Sequence, residues 1–203
     1  MEPPVEPSDI MLMMQVRKDD AKAFEMLHER YQRQLLNFFY GMSRHAPTAS
    51  DLCQESFLRV WQVRRRYHAS GSFPGYLFGI ARMVWREHCR RHSQEWQLCN
   101  SPDREGWRDA VAEPCQAPDY LASCSETEQY ILEALQQLPE EQRMVFVMRT
   151  LRGLSLQDIA EAMDCPLNTV RSRKLLGVKR LRCLLDALFH RHEDRVLKED
   201  RQR

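Results

Sequence analysis

A stretch near the carboxyl end, residues 153–185, constrains this chain most, because it combines two helix patterns with a sharp break between them. Ser155 followed by Asp158 forms a capping box, which predicts that a helix starts at this point. Residues 164–166 then end the helix, because their proline lacks a backbone donor and disfavours helix in the residue before it. The stretch therefore predicts a helix–turn–helix unit.

The second helix of this unit has two chemically different faces. Asn168 or Thr169 is predicted to cap it. With about 100° per residue, one side carries Val170, Lys174, Gly177, Val178 and Leu181. The mostly polar and cationic side carries Asn168, Arg171, Ser172, Leu175, Lys179 and Arg182. Helix–turn–helix geometry places such a helix in the major groove of DNA. From this stretch alone, an ordinary helical hairpin with a solvated basic face is the alternative.

Charge is distributed unevenly along the 203 residues, although the net charge is only +1. Residues 62–92 carry seven arginines and one acid, and residues 95–128 carry two arginines and eight acids. Residues 167–203 carry eleven Lys or Arg and five acids. The net charge alone therefore gives no signal for a polyanion partner, but its distribution is more informative, because two basic segments flank an acidic one.

Several functional classes are disfavoured by what the sequence lacks. It has no signal peptide and no long apolar run, which predicts a cytoplasmic protein without membrane insertion. Seven cysteines, never spaced C-x-x-C, indicate free thiols in a reducing compartment. The His and Cys of residues 88–92 fit no standard zinc spacing, so no metal or cofactor is expected. The sequence contains no phosphate loop, no nucleophile motif and no carboxylate pair with a plausible pocket, so it does not indicate an enzyme with a small-molecule substrate.

The amino-terminal half is predicted to be helical throughout. Residues 8–17 form a short helix pattern, and Asp20 is predicted to cap a longer amphipathic helix. Thr48 with Asp51 forms a capping box, which predicts that a third helix runs over residues 50–63. A turn before Pro74 leads into a fourth helix, with proline tolerated in the first turn.

The fourth helix combines apolar and cationic positions. Its inner seam is predicted to consist of Phe73, Leu77, Ile80 and Val84. Arg82, Arg86 and Arg90 lie four residues apart and form a cationic stripe. Aromatic side chains alternate with arginines across this segment, a combination that suits single-stranded nucleic acid, where bases stack on rings. A solvated basic face over an aromatic core explains the same composition equally well.

The rest of the chain contains a linker and further helices. Residues 93–124 lose periodicity and gain prolines and acids, as is typical of a linker. Ser125 with Glu128 is predicted to cap the next helix, and Pro139 to open another at its first turn, directly before the helix–turn–helix. No strand pattern occurs in the sequence.

The predicted fold is therefore all-α, with two small helical domains joined by a flexible linker, the second with a helix–turn–helix. The domains cover residues 8–92 and 125–190, with the acidic linker at residues 93–124. Residues 1–7 are predicted to be disordered, and residues 191–203 to form a charged tail that frays.

Both halves together resemble a bacterial sigma-70 family factor of the extracytoplasmic-function (ECF) group. Residues 51–61, DLCQESFLRVW, are similar to that family's D-x-x-Q-E-x-F-x-x-x-W helix. Residues 71–82, GSFPGYLFGIAR, are similar to its promoter-melting segment. Residues 135–143 and the helix–turn–helix resemble its second conserved domain. These motifs occur in the family's order, and the match covers about residues 8–92 and 126–185.

The resemblance implies an alternative sigma factor, which binds core RNA polymerase and directs transcription to particular promoters. The first domain would dock on polymerase and would read and melt the minus-10 element. The second domain would read the minus-35 element as duplex DNA, and the acidic linker would run through the polymerase's RNA path. An anti-sigma factor is a possible further partner. The alternative is a helix–turn–helix transcriptional regulator that acts without polymerase contact.

The resemblance also implies roles for individual residues. Contacts to core polymerase would come from Asp51, Gln54, Glu55 and Arg59. Contacts to minus-10 DNA would come from Arg64, Arg65, Arg66, Tyr67, Phe73, Tyr76, Arg82, Arg86 and Arg90. Contacts to minus-35 DNA would come from Asn168, Thr169, Arg171, Ser172, Arg173, Leu175 and Lys179. Arg173 is predicted to hold phosphate, and Leu175 to contact a thymine methyl or an anti-sigma partner.

The chain departs from the family at three positions in the melting segment. Tyr76 stands where tryptophan is usual, and Met83 and Glu87 stand where asparagine and aspartate are usual. These departures imply an altered melting wedge and altered base selection. Redox control through a thiol of the linker, Cys99, Cys115 or Cys124, is a weaker hypothesis.

Overall fold

The computed structural model describes the backbone of residues 7–99, 126–150 and 153–200, and the side chains of residues 7–93, 130–150 and 153–187. Within these ranges every regular element is helical, which confirms the predicted fold class. In chain order the α-helices are α1 Asp9–Val16, α2 Ala21–Ser43, α3 Ala46–Val63, α4 Phe73–Cys99, α5 Glu126–Gln136, α6 Glu140–Thr150, α7 Leu156–Met163 and α8 Leu167–Asp200, and a 3-10 turn spans Arg64–Arg66. Among the helices described, none has the length and apolar character needed to cross a bilayer.

Side-chain caps start three of these helices where the sequence predicts a start. The Ser8 hydroxyl accepts a hydrogen bond from the Met11 amide of α1 (3.3 Å). The Asp20 carboxylate accepts from the Lys22 amide of α2 (2.9 Å). At α7, Ser155 and Asp158 exchange side-chain to backbone bonds of 3.0 Å in both directions. Each bond satisfies an amide that the first helical turn leaves unpaired, so local chemistry sets these boundaries.

The start of α3 differs from the prediction. This helix begins at Ala46, about one turn before residue 50, and the cap is His45 rather than Thr48. The His45 Nδ1 accepts from the Thr48 amide (3.3 Å), and Pro47 lies in the first turn, where proline is tolerated. Thr48 and Asp51 therefore lie inside the helix. The imidazole substitutes for the usual hydroxyl or carboxylate cap, so the capping pattern placed the start too late.

Two predicted non-helical segments are helical at their beginning. Helix α4 runs to Cys99, into the predicted linker, and α8 runs to Asp200, into the predicted tail. Neither extension contains a proline or glycine, so nothing local ends the helix. Residues 1–6, 100–125 and 201–203 lie outside the described residues. These ranges include most of the predicted linker and the predicted cap at Ser125.

The turn before α8 also differs in detail. Asp164 adopts a left-handed conformation (φ 49°) that closes α7, and the Pro166 carbonyl accepts from the Thr169 and Val170 amides at 2.9 and 3.3 Å. Helix α8 thus begins at Leu167, and neither Asn168 nor Thr169 is its cap. As a result, Asn168 lies on the first turn of the helix.

Helices α1 to α4 pack around an aromatic core. The ring centroid of Phe38 lies 5.1 Å from that of Phe39 and 5.5 Å from that of Phe78, and all three side chains are fully buried. The predicted inner seam of α4 is confirmed, because Phe73, Leu77, Ile80 and Val84 are all buried. Burying one such side chain contributes roughly 1.5–3 kcal/mol, which makes this core the main stabilising feature of the first half.

The two halves of the chain pack against each other. Buried side chains of the second half, Met144, Val147, Ile159, Met163 and Val170, belong to the same continuous core as those of α1 to α4. Helix α7 lies across α4, and the Gln136 side chain of α5 donates to the Gly41 carbonyl of α2 (3.1 Å). The first helix of the helix–turn–helix is therefore also part of the interface between the halves.

Candidate nucleic-acid and polymerase interfaces

An exposed face of α3 carries three of the four predicted polymerase contacts. Asp51 and Gln54 are exposed and Glu55 is half-buried. Leu58 follows at the next helical step and is 50% exposed, although it is a large apolar residue. Positions three and four apart share one side of a helix, so Leu58 belongs to the same face. Leu58 is not among the predicted contacts, and its spacing from Asp51 is the signal that places it on their face.

Arg59, the fourth predicted polymerase contact, is held by partners inside the chain. Its Nε lies 2.7 Å from Glu55 Oε1, and its Nη2 lies 2.6 Å from Glu87 Oε2 of α4. Glu87 also pairs with Arg91. Hydrogen bonds from Arg59 and then Arg91 lower the pKa of the Glu87 carboxyl. Arg59 therefore ties α3 to α4 and fixes the orientation of the exposed face.

The Glu87 network predicts a specific dependence of stability on pH. Because the Glu87 pKa is lowered in the folded protein, its contribution is complete above the ordinary value of 4.5 and is lost as the pH falls through the folded value. We expect the difference in unfolding free energy between wild type and Glu87→Gln to shrink between about pH 6 and pH 3. Urea unfolding across this range measures it, with Glu25→Gln on α2 as the control. A difference that stays constant would contradict the network.

The basic cluster after α3 is partly neutralised by a distant carboxylate. Arg64 Nε and Arg65 Nη2 each lie 2.7 Å from a carboxylate oxygen of Asp19, which adopts a left-handed turn conformation (φ 69°). The Arg64 guanidinium also lies 4.1 Å from the ring centroid of Trp61. Hydrogen bonds from Arg65 and then Arg64 lower the Asp19 pKa. Arg65 and Arg66 are both exposed, whereas Arg64 is half-buried.

Two of the predicted minus-10 residues are part of the core. Tyr67 is 2% exposed and Phe73 is 1% exposed, with Phe73 packed 5.3 Å from the Tyr31 ring. Tyr76 is half-buried, and its ring lies 4.9 Å from that of Tyr67. Burial raises the pKa of both tyrosines. The aromatic residues of this segment thus support the loop and the start of α4, and Tyr76 has the most accessible ring.

The cationic stripe of α4 faces the second half of the chain over most of its length. Arg82 is half-buried, burial lowers its pKa, and its Nε has no hydrogen-bond partner within the described residues. Arg86 pairs with Glu141 of α6, whose other oxygen lies 3.0 Å from Arg173. Arg90, one helical turn further along, is exposed. The three arginines therefore do share one side of α4, but two of them, Arg82 and Arg86, lie at the interface between the halves.

The predicted DNA-reading face of α8 is open to solvent. Asn168, Arg171, Ser172, Leu175 and Lys179 are all exposed, and Thr169 is half-buried. Leu175 is 72% exposed, which is unusual for leucine. Arg173 instead points inward to Glu141. On the opposite side Val170, Gly177 and Leu181 are buried as predicted, whereas Val178 is 39% exposed, so the seam is narrower than the sequence indicates.

The thiols and histidines form no metal site among the side chains that the structure describes. Cys53 is buried, which raises the pKa of its thiol to about 12 and leaves it protonated at neutral pH. Burial also raises the pKa of Cys89. The side chains of Cys99, Cys115 and Cys124 lie outside the described part of the chain, so the redox hypothesis for them stays a prediction.

Comparison with known proteins identifies both halves. The family model for sigma-70 region 2 matches residues 27–95, and the model for sigma-70 region 4 matches residues 128–181. The chain is 30% identical over 173 residues to the ECF RNA polymerase sigma-E factor of Salmonella typhimurium, covering 82% of this chain and 88% of that protein. It is 29% identical over 168 residues to the RNA polymerase sigma-H factor of Pseudomonas aeruginosa, and the match covers 81% of this chain and 87% of that protein.

Solved structures show the same fold. CnrH in complex with the cytosolic domain of CnrY has a TM-score of 0.65 and 19% identity, covering 89% of this chain and 99% of that one. The sigma factor RpoE of Bartonella quintana, in complex with the anti-sigma factor NepR, has a TM-score of 0.63 and 23% identity, covering 82% and 98%. Two family regions in order, and relatives matched over most of their length, establish that the chain belongs to the ECF group of the sigma-70 family.

Proposed function

We propose that this chain is an alternative sigma factor that binds core RNA polymerase and directs promoter-specific initiation. It reads the minus-35 element as duplex and melts the minus-10 element. The observation that carries the proposal is the coexistence in one chain of an exposed docking face on α3 and an exposed polar and cationic face on α8. The polymerase supplies all the chemistry, so the chain itself is not an enzyme, and it acts in the cytoplasm.

The face of α3 supports the polymerase contact. Asp51, Gln54 and Glu55 share one face of α3 with the exposed Leu58. Protein interfaces obtain most of their binding energy from a few anchor residues, with polar groups beside them. A regulator that only binds duplex DNA has no need for such a face.

The face of α8 supports the reading of duplex DNA. Asn168 and Arg171 lie near the start of the helix, and Arg171 Nη1 is 3.3 Å from Asn168 Oδ1, so the two polar groups form one surface. Recognition helices contact base edges through their first turns. Arginine reads guanine through two hydrogen bonds, and Leu175 offers an apolar contact to a thymine methyl.

The start of α4 supports contact with the melted strand. Tyr76 has an accessible ring, and Arg66 and Arg90 are exposed on either side of it in the sequence. Melting requires unstacking, which costs a few kcal/mol per step and must be offset by stacking on rings and by phosphate contacts. Within this proposal Tyr67 and Phe73 act by supporting Tyr76 from the core.

An Arg171→Ala variant is expected to bind a promoter with an intact minus-35 element about 5- to 150-fold more weakly, which corresponds to roughly 1–3 kcal/mol. Its sequence preference at one base pair of that element should also be relaxed. Loss of a bidentate base contact is the physical reason. Fluorescence anisotropy on wild-type and single-substitution duplexes measures both effects. Arg180→Ala, also exposed on α8, is the matched control. Equal weakening on every sequence would show that Arg171 contacts phosphate instead.

An anti-sigma factor is a further proposed partner. RpoE of Bartonella quintana is in complex with such a factor, and this chain shares its fold. Leu175 and Leu176 are 72% and 54% exposed on α8, side chains that a protein partner would cover. A partner seated there would compete with duplex DNA for the same face.

The competing proposal is a helix–turn–helix regulator that never binds polymerase. Copurification separates the two: tagged full-length protein is mixed with purified core polymerase and resolved by size-exclusion chromatography. Coelution at the position of a holoenzyme supports the sigma proposal. Separate elution, together with specific duplex binding, supports the regulator instead.

A further inference from the structure

A half-open cavity of about 820 Å³ lies where the two halves of the chain meet. The end of α2, the start of α3 and one side of α4 form most of its wall, and Gln136 of α5 and Arg143 of α6 complete it. Small molecules bind in cavities of about 300–1,000 Å³, so this one has a suitable size. None of the residues that line it is among the predicted DNA or polymerase contacts.

The lining of the cavity carries cations and N–H donors, and no carboxylate among the side chains that the structure describes. These groups are Arg44, His45, His88, His92 and Arg143. Glu140 acts on the charge of Arg143, but it does not belong to the lining. The dipoles of α2 and α3 oppose each other here, because one helix ends and the other begins, so the side chains decide the charge. The cavity therefore favours an anion.

Arg143 is a half-buried cation that pairs with no carboxylate within the described part of the chain. Its Nη1 donates to Gln136 Oε1, and its Nε has no hydrogen-bond partner among the described residues. Burial lowers the pKa of its guanidinium. Arg59, Arg86 and Arg173, by contrast, each pair with a carboxylate. A charge that is partly removed from water needs a partner, and a bound anion would supply one.

Trp85 adds an unpaired donor to the wall that α4 forms. It is 6% exposed, and its Nε1 has no partner within residues 7–93, 130–150 and 153–187. Buried indole N–H groups usually find a hydrogen-bond partner. The ring centroids of Trp85 and His88 lie 5.9 Å apart, and those of His88 and His92 lie 6.2 Å apart, so three rings follow one another along α4. An acceptor bound against this wall can therefore satisfy the indole and contact the imidazoles.

Arg44 and His45 place two further donors at the junction of α2 and α3. Arg44 ends α2 in the left-handed conformation (φ 55°), where glycine or asparagine is usual. The turn itself does not require an arginine, and the side chain is exposed and forms no ion pair with any described residue. His45 Nδ1 accepts from the Thr48 amide, so in the neutral ring Nε2 carries the proton and is a donor.

We propose that this cavity binds a small anion that carries a diphosphate group. Arginine pairs with phosphate oxygens through two parallel N–H bonds, and Arg44 and Arg143 line the cavity from different helices. The imidazoles and the indole add further donors, which together need more acceptor oxygens than one carboxylate offers. The diphosphate can be inorganic or part of a nucleotide, because both present the same oxygens. Since residues of both halves hold the ligand, its binding should also stabilise the folded chain.

Isothermal titration calorimetry on the full-length protein, in buffer without divalent cations, tests the proposal with two probes. Inorganic pyrophosphate presents the diphosphate alone, ADP presents it on a nucleoside, and adenosine is the uncharged control. We expect one pyrophosphate per chain with a dissociation constant below about 1 mM, and no binding of adenosine. Thermal unfolding followed by circular dichroism should show a higher midpoint at a saturating concentration of pyrophosphate.

Two substitutions remove the proposed phosphate contacts. Arg44→Asn removes the cation and keeps a residue that suits the left-handed turn, and Arg143→Gln removes the half-buried cation. Each should weaken pyrophosphate binding at least about tenfold, because hydrogen bonds between charged groups are strong. Arg180→Gln removes the same charge from an exposed position on α8, outside the cavity, and should bind within about twofold of wild type. Because Arg44 is exposed, its variant decides the question even if Arg143→Gln unfolds.

The two probes identify the source of the diphosphate. Equal affinities would show that the phosphates alone are recognised, tighter binding of ADP would show that the nucleoside contacts the wall as well, and weaker binding of ADP would assign the cavity to the inorganic ion. No saturable binding of either probe, or an affinity that neither cavity substitution lowers, would overturn the proposal. An equal loss in Arg180→Gln would overturn it too, by showing general attraction to basic surface. None of these readouts involves polymerase or DNA, so their outcome is separate from that of the sigma proposal.

Discussion

A Leu58→Glu variant is expected to bind core RNA polymerase at least about 30-fold more weakly than wild type, because a central apolar anchor contributes about 2 kcal/mol or more. Leu58 is half-exposed on the α3 face, one helical turn after Gln54 and Glu55, so the substitution introduces a charge into the contact without disturbing the core. Transcription from a dependent promoter should fall by a similar factor at protein concentrations below the dissociation constant. Equilibrium binding to labelled core polymerase measures the effect.

Ile10→Glu is the matched control for this prediction. Ile10 is 43% exposed on α1 and lies outside the α3 face, so the same change of charge and size should leave polymerase binding near wild type. If both variants bind equally well, the face around Leu58 is not the docking surface. If both lose binding, the effect is a general consequence of added charge.

The second large effect is expected at Phe73, where alanine should lower the free energy of unfolding by about 3–5 kcal/mol. Phe73 is 1% exposed and packs on Tyr31 at the start of α4, so truncation leaves a cavity in the core. Folded domains are typically stable by about 5–15 kcal/mol, which makes this loss large. Urea denaturation followed by circular dichroism measures it.

Phe73→Leu separates support of the core from direct base stacking. Leucine keeps most of the apolar volume, so the loss of stability should be clearly smaller than for alanine, and strand binding should be retained. A Phe73→Leu protein of near wild-type stability that has lost single-strand binding would show instead that the ring itself contacts the base.

Local chemistry explains which structural features could be predicted from the sequence. The caps at Asp20 and Ser155 and the break at residues 164–166 depend on residues within one turn of each other, and all of them are in place. Helical periodicity likewise identified the buried seam of α4. His45 escaped prediction because histidine is not a preferred cap, although its ring nitrogen performs the same role.

Contacts between distant parts of the chain could not be predicted in this way. Asp19 neutralises Arg64 and Arg65 from 45 and 46 residues away, and Glu141 reaches Arg86 across the interface between the halves. Periodicity assigns a residue to a face but does not say what covers that face. The cationic stripe of α4 was therefore identified correctly as a stripe, while its pairing with the second half became visible only in the structure.

The central claim, that this chain confers promoter recognition on polymerase, is tested most directly by transcription with purified core enzyme on fragmented genomic DNA, followed by mapping of start sites. The account predicts new start sites that appear only when the protein is added, preceded by shared upstream elements, and lost with Leu58→Glu. Start sites identical with and without the protein would contradict it.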